Sequence, residues 1–220
     1  MRGRSAGAAL LLVLVTLLAG CGAGGPARPA AGKPGELRVI AVGDSITEAD
    51  SEDFDAGNVG TGSWASYADG GGVDVLGGWA HGGATTTDML AGVRDQTANG
   101  RAPLKADVAV LMAGSNDVDD GGSFTDAAAN LRSIVGLLGI DRVVLSTIPP
   151  EDGMGSQVQE FNAQLPELAE AEGWQLVDPM TAVRTADSEW LPGMSDDGVH
   201  PDDTAARLIG QALRAALTAG

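Results

Sequence analysis

The chain has 220 residues, with 13 Lys and Arg against 30 Asp and Glu, a net charge of −17 and a single cysteine. That acidic balance excludes charge-driven binding to nucleic acid or to anionic lipid headgroups, and one cysteine excludes an intramolecular disulfide. The length suits a single domain that buries its core without covalent staples.

Residues 1–20 read as a signal segment: Arg2 and Arg4 precede an apolar run from Ala8 to Leu18, too short to span a bilayer comfortably. The run ends Leu18-Ala19-Gly20-Cys21, which resembles the lipobox of bacterial lipoproteins, so Cys21 is the expected lipidation site. Losing Arg2 and Arg4 leaves 11 basic against 30 acidic residues, a net charge of −19. Residues 21–35 follow as a Gly/Pro/Ala tether; as a coil, the fourteen residues after Cys21 span about 20 Å. Membrane association is expected through this anchor only.

The folded domain is expected over 36–220. Leu37 to Val42 is an apolar strand stopped by Gly43, with Asp44-Ser45 directly after it. Glu48 to Gly62 is acidic but lacks EF-hand spacing, so it reads as a solvated loop rimming a pocket, with no metal and no cofactor. Ser63 to Ala68 forms a helical turn carrying Trp64 and Tyr67, with core the favoured place for their rings. Val73 to Ala80 is a second strand, weakened by Gly77-Gly78. Thr85-x-x-Asp88 caps a helix with Met89, Leu90 and Val93 on one face. Ala106 to Ala113 is a nearly all-apolar third strand, as a sheet covered on both faces requires. Ser123 caps a helix reaching Leu138, and Arg142 to Ile148 is the fourth strand. A helix from about Ser156 to Glu172 should split near Pro166, and Trp174 to Val177 is a fifth strand. The last helix starts at Pro201, a favoured first position, and carries a clean apolar stripe to Leu217. Strands alternating with helices predict an α/β, three-layer α/β/α fold around a doubly wound parallel sheet of about five strands.

In such a sheet, ligands bind outside the carboxyl ends of the strands. There the sequence puts Gly43-Asp44-Ser45, His81-Gly82-Gly83, Gly114-Ser115-Asn116-Asp117 and Asp196-Asp197-Gly198-Val199-His200. A hydroxyl, backbone amides, a carboxamide and a carboxylate three residues before an imidazole are the parts needed for acyl transfer. Only two histidines exist, His81 and His200. His200 is the expected base, having Asp197 one turn away. His81, between glycines and without a nearby acid in sequence, reads as a pocket-lining or surface residue that could contact substrate.

These four blocks, in this order, resemble those of the SGNH (GDSL) hydrolases; no G-x-S-x-G occurs, which disfavours an α/β-hydrolase elbow. The resemblance implies a flavodoxin-like sheet, Ser45 as nucleophile, His200 as its base and Asp197 as the acid that orients it. It also implies an oxyanion hole made of the Ser45 amide, the Gly83 amide and the Asn116 side chain. Many members carry a serine before the oxyanion glycine where this chain has Gly82, so Gly82 stands as an alternative donor. Asp44 is then a turn or capping carboxylate.

The leading expectation is a serine esterase acting on a small-molecule or glycan ester, short-chain acyl or acetyl, with no obligate protein partner evident. An acyltransferase or deacetylase acting on glycans is one alternative, and a non-catalytic glycan-binding lipoprotein is another. The expected address is the outer face of a bacterial membrane.

Overall fold

The computed structural model describes residues 33, 35–100 and 105–219. The signal segment, Cys21 and the tether apart from Lys33 and Gly35 lie outside the described residues. Five strands, β1 (Leu37–Gly43), β2 (Val73–Ala80), β3 (Val108–Met112), β4 (Arg142–Ser146) and β5 (Gln175–Val177), form one sheet in the order β2-β1-β3-β4-β5. Every pairing is parallel. Sequence direction around the sheet reverses between β1 and β3, and that switch point is where a doubly wound sheet opens a crevice for a ligand.

Alternation along the strands builds two cores. Val39, Ala41, Val108 and Val110 face the layer formed by α2 (Trp64–Ala68) and α8 (Asp203–Thr218), against Trp64, Ile209 and Leu213. Val42, Leu111, Val143 and Leu145 face the other layer, made of α3 (Thr86–Ala98), α5 (Phe124–Leu138), α6 (Gly155–Asn162) and α7 (Leu165–Glu172). With both faces covered, β3 has no polar side and reads VAVLM, buried throughout. Burying each large apolar side chain contributes roughly 1.5–3 kcal/mol.

The expected capping residues do cap: Thr85 and Ser123 accept the Asp88 and Asp126 N–H groups at the starts of α3 and α5. The expected long helix is split into α6 and α7, with Pro166 in the first turn of α7 where its missing N–H costs nothing. One element differs from expectation. The last helix begins at Asp203, because the Asp202 side chain accepts the Ala205 N–H and so caps it, leaving Pro201 outside. At Gly77-Gly78 β2 runs on unbroken but with an irregularity in its ladder. The β1–β2 register shifts there, Gly77 and Gly78 have φ of 91° and 149°, and a Cβ on either would strike the Phe54 or Ala41 carbonyl. No helix among the described residues is long and apolar enough to cross a membrane.

Candidate active site

Ser45 opens α1 (Ser45–Glu48), a single turn at the carboxyl end of β1. Asp44 caps that turn: it is buried, and its Oδ1 accepts the Ile46 N–H at 3.0 Å. Burial pushes the Asp44 carboxyl up to about 6, against the Ile46 hydrogen bond and the nearby charge of His200. The expectation that Asp44 braces the turn holds. The turn is also fixed from behind, since Trp64 Nε1 donates to Thr47 Oγ1 at 3.0 Å and Ser63 Oγ to the Thr47 carbonyl at 2.6 Å.

His200 arrives from 155 positions away in sequence, its Nε2 2.9 Å from Ser45 Oγ. Its Nδ1 is 2.8 Å from Asp197 Oδ2. Asp197 is held by its own loop, its Oδ1 accepting the Val199 and His200 N–H groups at 2.9 and 2.8 Å and the Ser195 hydroxyl at 3.3 Å. The His200 side-chain bond, then the backbone bonds, hold the Asp197 carboxyl far below the usual carboxylate range. An ionised carboxylate can only accept, so Nδ1 carries the ring hydrogen and Nε2 is left to accept the Ser45 proton.

The other two loops follow the carboxyl ends of β2 and β3, and Gly82 approaches Ser45 while Gly83 and Asn116 lie outside the residues that line the pocket. Asn116 lies in α4 (Ser115–Asp119), at the carboxyl end of β3. One Asn116 Nδ2 hydrogen goes to the Ala84 carbonyl at 3.0 Å, which orients the amide and leaves its second N–H for a ligand. Asp117 ties the same loop to the start of α3 by accepting Thr86 N and Oγ1 at 2.8 and 2.6 Å. Gly114 precedes them with φ of 127°, and a Cβ there would strike the Phe161 ring. Gly83 has φ of 72° with no atom within 4 Å of where its Cβ would be. The Gly82 N–H, the alternative oxyanion donor, is taken by Glu48 Oε2 at 2.6 Å.

Ser45 and His200 open onto a pocket of about 260 Å³ walled by Ile46, Ala49, Gly62 and Pro201. The acidic segment is thus a structured wall: Asp50 Oδ1 accepts the Gly62 N–H at 2.7 Å, and Phe54 is buried beneath. His81 is not without acids, as sequence neighbours suggest, because the fold brings Asp55 Oδ2 within 3.3 Å of Nε2 and Glu48 Oε1 within 3.8 Å of Nδ1. Trp64 is core, as expected, whereas Tyr67 is only half-buried. Glu48 and Asp117 are the site residues missed in sequence, their roles resting on partners about thirty positions away. No cluster of three or more His, Cys, Asp or Glu side chains fit for a metal occurs among the described residues.

A family model described as GDSL-like Lipase/Acylhydrolase matches residues 41–208. No curated protein matches the chain in sequence. Among solved structures, a GDSL-like lipase from Bacteroides thetaiotaomicron is 20% identical with a TM-score of 0.63, covering 83% of this chain and 88% of its own. A catalytic mutant of an acetylxylan esterase from Geobacillus stearothermophilus is 20% identical with a TM-score of 0.66, covering 82% and 94%. An α/β hydrolase from the metagenome of Lake Arreo is 20% identical with a TM-score of 0.67, covering 83% and 95%. At this identity, the likeness establishes the three-layer fold.

Proposed function

This chain belongs to the GDSL-like lipase and acylhydrolase family and is an SGNH-type hydrolase; we propose that it is a serine esterase cleaving short-acyl esters, acetyl esters foremost, through an acyl-enzyme on Ser45. The observation that carries this reading is the unbroken relay from Ser45 Oγ to His200 Nε2 at 2.9 Å and from His200 Nδ1 to Asp197 Oδ2 at 2.8 Å. Ser45 Oγ attacks the ester carbonyl while its proton passes to Nε2, and the Asp197 carboxylate faces the imidazolium that results. The oxyanion is received by the Ser45 and Gly83 N–H groups and the Asn116 amide. Asn116 carries no charge, so it favours the developing anion over the neutral ester, and such a donor contributes about 3–4 kcal/mol. His200 returns its proton to the departing alkoxide. Water then attacks the acyl-enzyme with His200 taking its proton, and His200 returns that proton to Ser45 Oγ as the bond from Oγ to the acyl carbon breaks and the carboxylic acid departs.

Hydrolysis is favoured over transfer by exposure: the His200 and Asp197 side chains are 46% and 55% exposed, so water reaches the acyl-enzyme freely. The pocket supports a short acyl group, since about 260 Å³ lies below the roughly 300–1,000 Å³ of pockets that enclose drug-sized ligands. An acidic chain suits a neutral ester, and the acetylxylan esterase of like fold supports acetylated glycan as one substrate class. The proposal extends to the address: the signal segment and Cys21 would hold the domain on the outer face of a bacterial membrane.

The test is Ser45→Ala assayed on p-nitrophenyl acetate, with fluorophosphonate labelling of the parent protein. Loss of turnover with the fold retained, and labelling on Ser45, are expected. A variant that still turns over, or label on another residue, refutes the reading.

A further inference from the structure

One strap joins the nucleophile's helix to the turn that faces it. Glu48 closes α1 three residues after Ser45, and its Oε2 accepts the Gly82 N–H at 2.6 Å. A Cβ on Gly82 would stand 3.4 Å from that oxygen and 4.0 Å from Ser45 Cβ, so the turn lies directly across from the nucleophile. The second Glu48 oxygen faces His81 Nδ1 at 3.8 Å, and His81 Nε2 faces Asp55 Oδ2 at 3.3 Å. The His81 ring is edge-on to Trp79, with centroids 4.5 Å apart. Glu48 is therefore flanked by a side chain that is itself held on two sides.

With the Gly82 N–H occupied, the Gly83 N–H is the backbone donor this turn can offer an oxyanion. Gly83 is in the left-handed region, inside a turn closed by the Ala84 N–H on the His81 carbonyl at 3.2 Å, so the direction of its N–H relative to Ser45 is set by where the Gly82 anchor holds that turn. We infer that Glu48 is a positioning residue of the oxyanion hole: by fixing Gly82 to the helix that carries Ser45, it aims the Gly83 N–H at the oxygen that becomes negative. The inference rests on the serine esterase reading above. A carboxylate near a developing anion is electrostatically unhelpful, so its use is geometric, and a neutral acceptor of equal length should serve as well. An oxyanion contact is made in the transition state and not with the bound ester, so its loss falls on kcat and leaves KM.

The experiment compares Glu48→Ala, Glu48→Gln and Ser45→Ala for kcat, KM and Tm on p-nitrophenyl acetate. Glu48→Ala is expected to lose about 10- to 100-fold in kcat at a KM within about twofold, the scale of a donor misplaced by an ångström. Glu48→Gln, which keeps an acceptor for the Gly82 N–H, is expected to recover to within about threefold of the parent. Glu48→Asp, a carboxylate one methylene too short, carries the same comparison if the alanine variant does not fold. A Glu48→Ala kcat equal to the parent's, a loss confined to KM, or an equal loss in Glu48→Gln overturns the inference. Turnover by Ser45→Ala would instead overturn the esterase reading itself.

Discussion

Asp44 and Ser45 are adjacent in the chain yet meet opposite environments, one buried beneath the turn and the other opening onto the pocket. The Asp44 carboxyl, raised by burial to about 6, binds a proton in the folded protein at pH values where the unfolded chain has released it. Between the ordinary aspartate value of about 4 and the folded value of about 6, the folded state holds more protons, so this group's contribution to stability falls as pH rises and levels off above about 6. A shift of about two units corresponds to on the order of 3 kcal/mol. Asp44→Asn retains an acceptor for the Ile46 N–H and cannot ionise, so it is expected to remove that decline. Urea unfolding of both proteins at pH 4, 5, 6 and 7 measures the difference, and parallel stability curves would contradict it.

At the scale of elements, α2 and α8 link the two halves of the relay from behind. α2 holds the Ser45 turn through Trp64 and Ser63, while α8 begins three residues after His200. Their backbones approach at Gly210, where a Cβ would strike the Trp64 carbonyl and stand 2.7 Å from Tyr67 Cβ. Gly210→Ala gains about 1 kcal/mol of helix propensity but incurs about 1–3 kcal/mol of overpacking. A Tm lower by several degrees and a reduced kcat are expected, whereas Gly136→Ala on the exposed face of α5, with nothing within 4 Å of the new Cβ, should raise Tm slightly. Calorimetry and kcat on the two variants decide it; equal Tm values would mean the helices are free to move apart. The same elements show how far sequence carries. β3 is a continuous apolar run, β1 and β4 are apolar apart from Arg38, Arg142 and Ser146, and Thr85 and Ser123 announce their helices, because local patterns reflect local causes. α1 and α4 are single turns without room for a period, and α8 starts at Asp203 rather than Pro201 because the Asp202 side chain captures a helix N–H. In the site, Ser45 is legible at the end of β1, and Asp197 and His200 as a short motif just before the last helix. Glu48 and Asp55 are not: an acidic run reads as solvated until the fold sets His81 and Gly82 beside it.

Over the whole molecule, the direction of the sheet separates the chain's two ends of interest. Ser45 follows the carboxyl end of β1, and Lys33 sits at the amino end, its backbone N–H on Asp74 Oδ2 at 2.6 Å and its ammonium 3.0 Å from Asp69. The seven residues of β1 put about 23 Å between them. Lys33 and the pocket therefore lie at opposite ends of β1. Under the proposed lipidation of Cys21, catalysis and anchoring are then independent. Cys21→Ser is expected to move the protein from the membrane fraction to the soluble fraction without changing kcat or KM on p-nitrophenyl acetate. Fractionation with assay of both pools measures each half of that statement. A Cys21→Ser protein still in the membrane fraction would refute the anchor, and a changed kcat would refute the separation of the two ends. Where both hold, the acidic surface leaves the freed domain no second attraction to anionic headgroups, so raising the salt concentration should not alter its partition.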